Sequence, residues 1–174
     1  MRVFVAAGIT DAEVIGSIKR LQSELGIDAR PVAPENLHFT LQFLGEIAEV
    51  SQVIEALRDI KFDAFDVALK GVGMFPGSGP PRTVWIGADD GGRLSGLAKS
   101  VEAALAPLGF CRDRPFVPHL TVFRVKKKAG KTRDKLDGMG SVSFGVQHVA
   151  QIKLKSSALN PEGSTYSDLW ESGT

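Results

Sequence analysis

Asn36-Leu37-His38-Phe39-Thr40-Leu41-Gln42-Phe43 is an alternating stretch. Side chains on an extended chain point to opposite faces with period two. The stretch therefore predicts a strand with Leu37, Phe39, Leu41 and Phe43 on one face and His38, Thr40 and Gln42 on the other. The apolar face requires a core. The polar face presents an imidazole and a hydroxyl side by side on a rigid element. Pro118-His119-Leu120-Thr121-Val122-Phe123 repeats the arrangement, with His119 and Thr121 on one face and Leu120 and Val122 opposing them. Two of the chain's three histidines occupy this setting, so the rest of the sequence reads as a scaffold for that pair.

The two stretches belong to a longer repeat. His119 follows His38 by 81 positions, and the same offset carries Val3 to Val84, Phe4 to Trp85, Val5 to Ile86, Pro34 to Pro115 and Thr40 to Thr121. A slightly larger offset, 85, takes Val67-Ala68-Leu69-Lys70 to Ile152-Lys153-Leu154-Lys155. A β-α-β-α-β unit used twice accounts for both. Two copies are too few, and the period too long, for a solenoid. An approximate two-fold between the units brings the His strands face to face across a groove. The expected fold is α+β and bilobal: two antiparallel sheets facing a central cleft, helices outside, residues 1–174 forming one bilobal domain.

Around the two strands the elements follow from periodicity and breakers. Residues 2–8 read as a first strand. Thr10-Asp11-Ala12-Glu13 matches a capping box with Thr10 at the N-cap, and Val14, Ile18, Leu21 and Leu25 follow at helical spacing up to Gly26. Val50, Val53, Ile54 and Leu57 mark a second helix, and residues 65–70 a strand. Residues 71–82 hold four glycines and three prolines and read as a loop. A strand over 83–88 and a helix lined by Leu94, Leu97, Val101, Leu105 and Leu108 precede the His119 strand. Lys126 to Arg133 is a basic loop. Residues 144–156 read as one long strand region, and residues 166–170 as a short edge strand.

Composition narrows the function classes. The chain has 174 residues, 43% hydrophobic and 24% charged, with net charge +1. No global field draws it onto a polyanion or a membrane surface, so recognition of phosphate must be local. A single cysteine, Cys111, excludes an intramolecular disulfide and a multi-cysteine zinc site. No apolar run approaches the roughly 20 residues of a membrane span, and the N-terminal stretch is too short for a signal peptide. A soluble, cytoplasmic monomer is expected.

Two histidines facing across a cleft suit general acid–base catalysis, because an imidazole holds or releases a proton near neutral pH. The threonine hydroxyl two residues on can donate to an anionic oxygen between the rings. Imidazoles for proton transfer and hydroxyls for oxyanion contact fit in-line displacement at phosphorus. A two-histidine metal site is the competing reading, but neither strand carries an Asp, Glu or Cys at a companion position, and two imidazoles alone hold a metal poorly. No metal and no cofactor are expected. His148 lacks a threonine partner and reads as a surface residue.

The paired motifs, HFTL at 38–41 and HLTV at 119–122, resemble the HxTx motifs of the 2H phosphoesterases. Residues 34–41 with Phe43-Leu44-Gly45, Arg114 to His119, and Lys155 to Leu159 with Gly163 and Tyr166 are similar to the RNA 2′,3′-cyclic phosphodiesterase branch, long called 2′-5′ RNA ligase. The resemblance implies metal-independent hydrolysis of a 2′,3′-cyclic phosphate, on an RNA end or a nucleoside, to a 2′-phosphomonoester. It also implies His38 as proton donor and His119 as proton acceptor, roles that spacing alone does not assign. Thr40, Thr121, Phe123 and Arg114 are the candidate substrate contacts. Phe123 shares the pleat face of His119 under strict alternation, to stack on a base or wall the groove. The same alternation turns Arg124 away. The basic loop is a candidate for the RNA backbone. Two other readings stand beside the hydrolase: an ATP-independent 2′-5′ RNA ligase, and a non-catalytic nucleotide- or RNA-binding module on the same scaffold.

Overall fold

The computed structural model describes residues 1–125 and 132–172. In chain order they form β1 (Arg2–Gly8), α1 (Ala12–Glu24), β2 (Ala29–Pro31), β3 (His38–Glu46), α2 (Ser51–Arg58), β4 (Phe65–Phe75), β5 (Thr83–Asp89), α3 (Arg93–Leu105), β6 (His119–Val125), α4 (Thr132–Leu136), β7 (Ser143–Val149), β8 (Lys153–Asn160) and β9 (Gly163–Glu171). Two antiparallel sheets result, with strand orders β3-β1-β8-β9 and β2-β6-β5-β4-β7.

The duplicated unit is present, but its third strand is exchanged. β4 follows α2 of the first unit yet pairs with β5 in the second sheet, and β8 of the second unit pairs with β1 in the first. The region expected as one strand over 144–156 is therefore two: β7 edges the second sheet and β8 sits inside the first. No local pattern encodes that choice, because both strands alternate equally well.

Each sheet turns one face to the shared core and the other to a groove. Val3 and Val5 of β1, Val84 and Ile86 of β5, Leu41 of β3 and Val122 of β6 are fully buried. Val14, Ile18 and Leu21 of α1 bury the apolar stripe that the sequence marked. The capping box is not formed. Asp11 is the N-cap, its Oδ1 accepting from the Val14 amide at 3.0 Å. Thr10 is diverted to β7: the Thr10 and Asp11 amides both donate to Gln147 Oε1 at 2.9 Å, and Gln147 Nε2 donates to the Thr10 hydroxyl. A buried glutamine thus caps the helix from the neighbouring sheet, which the chain order could not announce. The glycine-rich region is also shorter than expected as a loop, since β4 continues to Phe75.

Irregular pairing matters most for the groove. In β3, Val5 pairs with Gln42 and Ala6 with Thr40, so Leu41 is an extra residue. In β6, Val84 pairs with Phe123 and Trp85 with Thr121, so Val122 is extra. The two bulges are 81 positions apart, at equivalent places. A bulge reverses the facing of every residue beyond it. Gln42 therefore turns inward, at 2% exposure, and Phe43 outward, at 71%. Phe123 turns into the core and Arg124 out.

Candidate active site

One groove of about 1070 Å³ is lined by His38 and Thr40 of β3 and by His119 and Thr121 of β6. The four side chains that the two motifs nominated are brought together. Arg114 lines the same groove from the loop before β6. Phe123 does not: it is 2% exposed and packs in the core, because the bulge at Val122 redirects it. Arg124, which strict alternation turned away, lines the groove in its stead. Phe43, Phe75, Arg82 and Tyr166 are lining residues that alternation and motif reading did not nominate. Lys126 to Lys131 of the basic loop lie outside the described residues. Its last member, Arg133, donates to the carbonyls of Pro76, Gly77 and Gly79 at 3.0, 2.8 and 2.5 Å. That guanidinium pins the loop between β4 and β5, whose Pro76, Pro80 and Arg82 wall the groove.

The backbone fixes the tautomer of both catalytic candidates. His38 Nδ1 lies 2.7 Å from the Asn36 carbonyl, and His119 Nδ1 lies 2.7 Å from the Val117 carbonyl. A carbonyl only accepts, so each Nδ1 carries the proton, and each neutral ring keeps its lone pair on Nε2. Asn36 and Val117 are again 81 positions apart: the repeat duplicates the orienting acceptor as well as the histidine. Thr40 donates its hydroxyl to His38 Nε2 at 2.9 Å.

Aromatic side chains brace the imidazoles differently in the two halves. His38 packs against Phe4 at 5.0 Å between ring centres and meets Tyr166 edge-on at 5.5 Å. His119 meets Phe75 edge-on at 5.1 Å, and Phe75 in turn packs on Trp85 at 5.1 Å. Trp85 needs Gly73 opposite it, since a Cβ there would stand 2.4 Å from the indole.

Electrostatics act strongly on His38. Burial is the largest influence on His38 and, with the cations Lys155 and Arg124 near it, lowers its pKa to about 4 against the pull of the Asn36 carbonyl. The unfolded chain binds a proton at this ring below about pH 6.5, while the native ring stays neutral until about pH 4. This ring's contribution to native stability is thus full above pH 6.5 and is lost as the pH falls towards 4, by roughly 2–3 kcal/mol. Urea unfolding of the wild type and His38→Gln at pH 7 and pH 4.5 checks this. The variant should lose distinctly less stability between the two conditions.

His148 lies elsewhere, exposed on β7 and paired with Asp66 at 2.8 Å. Among the described residues, no cluster of three or more His, Cys, Asp or Glu side chains is placed to hold a metal ion.

Two histidine motifs on an exchanged, duplicated sheet pair have a counterpart among known families. The family model described as LigT-like phosphoesterase matches this chain twice, over residues 9–85 and 86–166. The chain belongs to the LigT-like phosphoesterase family. The double match restates the internal repeat, one match for each histidine motif. A curated relative from Archaeoglobus fulgidus, named RNA 2′,3′-cyclic phosphodiesterase, is 44% identical over 174 residues, covering 97% of this chain and 98% of the relative. A Methanothermobacter thermautotrophicus protein of the same name is 34% identical, covering 97% of this chain and 96% of the relative. Among solved structures, a Thermus thermophilus protein superposes with a TM-score of 0.81 at 30% identity, covering 98% of this chain and 96% of the other. Escherichia coli LigT complexed with 3′-AMP superposes at 0.80 with 27% identity, covering 98% and 95%. The 2H phosphoesterase resemblance of the sequence is thereby confirmed, and this LigT-like chain has the α+β architecture expected for it. None of its described helices is long and apolar enough to cross a membrane.

Proposed function

We propose that this LigT-like phosphoesterase hydrolyses RNA 2′,3′-cyclic phosphate ends to 2′-phosphomonoesters with His38 and His119 as its acid–base pair. The observation that carries the reading is the pair of Nδ1-anchored imidazoles, both presenting Nε2 to one groove. The names of the curated relatives supply the substrate class.

The geometry supports a single displacement. A water oxygen attacks phosphorus while one imidazole Nε2 accepts its proton. The bond from phosphorus to the 3′ oxygen breaks, and the other imidazole delivers a proton to that oxygen, leaving phosphate on the 2′ oxygen. Following the family resemblance, His119 is the acceptor and His38 the donor. Since His38 is neutral in the free protein at pH 7, it takes up its proton as the anionic phosphate arrives and offsets the surrounding cations. Protonation of His38 Nε2 ends its acceptance from Thr40, and the freed Thr40 hydroxyl donates with Thr121 to the non-bridging oxygens, whose charge Arg114 and Arg124 complement. Phe43, exposed on the groove wall beside Phe4, offers a face for a base. The proposal extends to a monomer acting in the cytoplasm without a metal or cofactor, a setting with which the lone exposed Cys111 agrees.

The test is product analysis on an RNA ending in a 2′,3′-cyclic phosphate. The expected product is the 2′-phosphomonoester, formed at the same rate with and without EDTA. A 3′-phosphate product, joined ends, or activity lost to EDTA and restored by zinc or magnesium would overturn it.

A further inference from the structure

The two histidine motifs are duplicates in sequence, tautomer and facing, yet the charges behind them differ. Across the first sheet, Phe43 pairs with Phe4, Phe4 with Lys155, and Lys155 with Asp168. Phe4 packs on His38, and Tyr166, two residues from Asp168, packs on both. Lys155 is 8% exposed. Its Nζ is held by Asp168 Oδ1 at 2.9 Å, and the other oxygen of Asp168 holds Lys153 at 2.8 Å. Two lysines share the Asp168 carboxylate, with Glu171 opposite Lys153 as a further acidic neighbour, so Lys155 has no carboxylate to itself. In the second half the residue that the 85-residue offset equates with Lys155 is Lys70, which is exposed. No carboxylate pairs with it among the described residues.

We propose that Lys155, fixed by Asp168 behind the Phe4–His38–Tyr166 stack, is a positioning residue that makes the two equivalent motifs chemically unequal by holding His38 uncharged until an anionic phosphate enters the groove. The proposal rests on the acid–base reading above and adds its regulation. A cation buried in low-dielectric surroundings acts on a neighbouring ring more strongly than the same charge in water. The other groups near His38 are Arg124 and His119 from β6, Tyr166 from β9 and Thr40 on its own strand, while Asp168 of β9 is held against Lys155; Phe4 from β1 carries no charge. Burial and Lys155 both disfavour the imidazolium, with Lys155 the largest of the charged contributors. Lys155 does not line the groove, so its influence reaches the reaction through His38 rather than through the substrate.

Three histidines make the experiment direct, because each ring gives its own signals in an NMR titration and His→Gln variants assign them. Lys155→Met removes the charge but keeps the length and should raise the His38 midpoint by roughly half a unit or more. His119 and His148 should stay where they are. Asp168→Asn leaves Lys155 charged and removes its counter-charge, so it should move His38 the other way, leaving the ring neutral at a pH where the wild type is partly protonated. Lys155→Arg should restore the wild-type midpoint. A structural cross-link between β8 and β9 predicts no such opposite signs. If Lys155→Met leaves His38 unmoved, or shifts all three rings alike, the proposal is overturned. If Lys155→Met does not fold, Asp168→Asn decides: a downward shift supports the proposal and an unchanged or raised midpoint ends it. The titration needs no turnover, so its outcome is independent of the substrate. The acid limb of kcat/KM should follow the same signs.

Discussion

His38→Ala or His119→Ala should each lower single-turnover hydrolysis of an RNA 2′,3′-cyclic phosphate by roughly 10²–10⁴-fold, the range for one positioned acid or base. Both rings line the groove with their orienting Nδ1 contacts made to backbone. Removing one leaves the other correctly held, and folding should survive. The double variant should lose less than the product of the single losses, because groups that act as a unit are not additive. Thr40→Val and Thr121→Val remove only a hydroxyl, and each should cost less than either histidine. His148→Ala is the control: its ring is exposed and hydrogen-bonded to Asp66 on another strand, and turnover should be unchanged. Equal damage from His148→Ala, or near-normal turnover from either motif variant, would end the two-histidine mechanism. The rate should also depend on pH as a bell whose limbs belong to the coupled pair.

The second large effect separates Phe123 from Arg124. Phe123 is a core residue, and truncating a buried phenylalanine costs about 3–5 kcal/mol. Phe123→Ala should therefore lower the urea midpoint sharply, and the fraction that remains folded should hydrolyse substrate normally. Arg124→Gln should do the reverse. It leaves the exposed side chain's packing and the protein's stability nearly intact, and it removes a charge-assisted contact to phosphate worth about 1.5–3 kcal/mol. That corresponds to roughly 10- to 150-fold in kcat/KM. If Phe123→Ala is stable but catalytically poor, the bulge at Val122 does not turn the strand as described.

What the sequence disclosed and what it withheld follow from the range of the interactions. The facing of His38, Thr40, His119 and Thr121 was legible because only the strand period decides it. The repeat was legible because an offset of 81 runs without a gap from Val3 to Thr40 and from Val84 to Thr121. The bulges were not, since an extra residue in a ladder is a relation between two strands. Their one trace is the adjacent apolar pair Val122-Phe123 ahead of Arg124, and Gln42-Phe43 in the other copy points the opposite way. The place of Tyr166 beside His38 was hidden for a related reason: β9 reads as a weak terminal strand, and only its pairing along β8 brings the phenol to His38. The split between β7 and β8 was equally silent, because sheet membership depends on partners far away in the chain.

Strand exchange also sets when the molecule can become whole during synthesis. Of the nine strands β1 is made first, and it pairs on one side with β3 but on the other with β8, Arg2 lying opposite Ser157. The first sheet therefore stays incomplete, with an inner strand edge of β1 open, until β8 has been made. Pairings this distant in sequence are slow to close, and an open apolar edge on a nascent chain is an invitation to mispairing. Meanwhile β4 and β5 can already join as a hairpin of local contacts. The second sheet is thus the natural seed, and the lobe that carries His38 is the last to close.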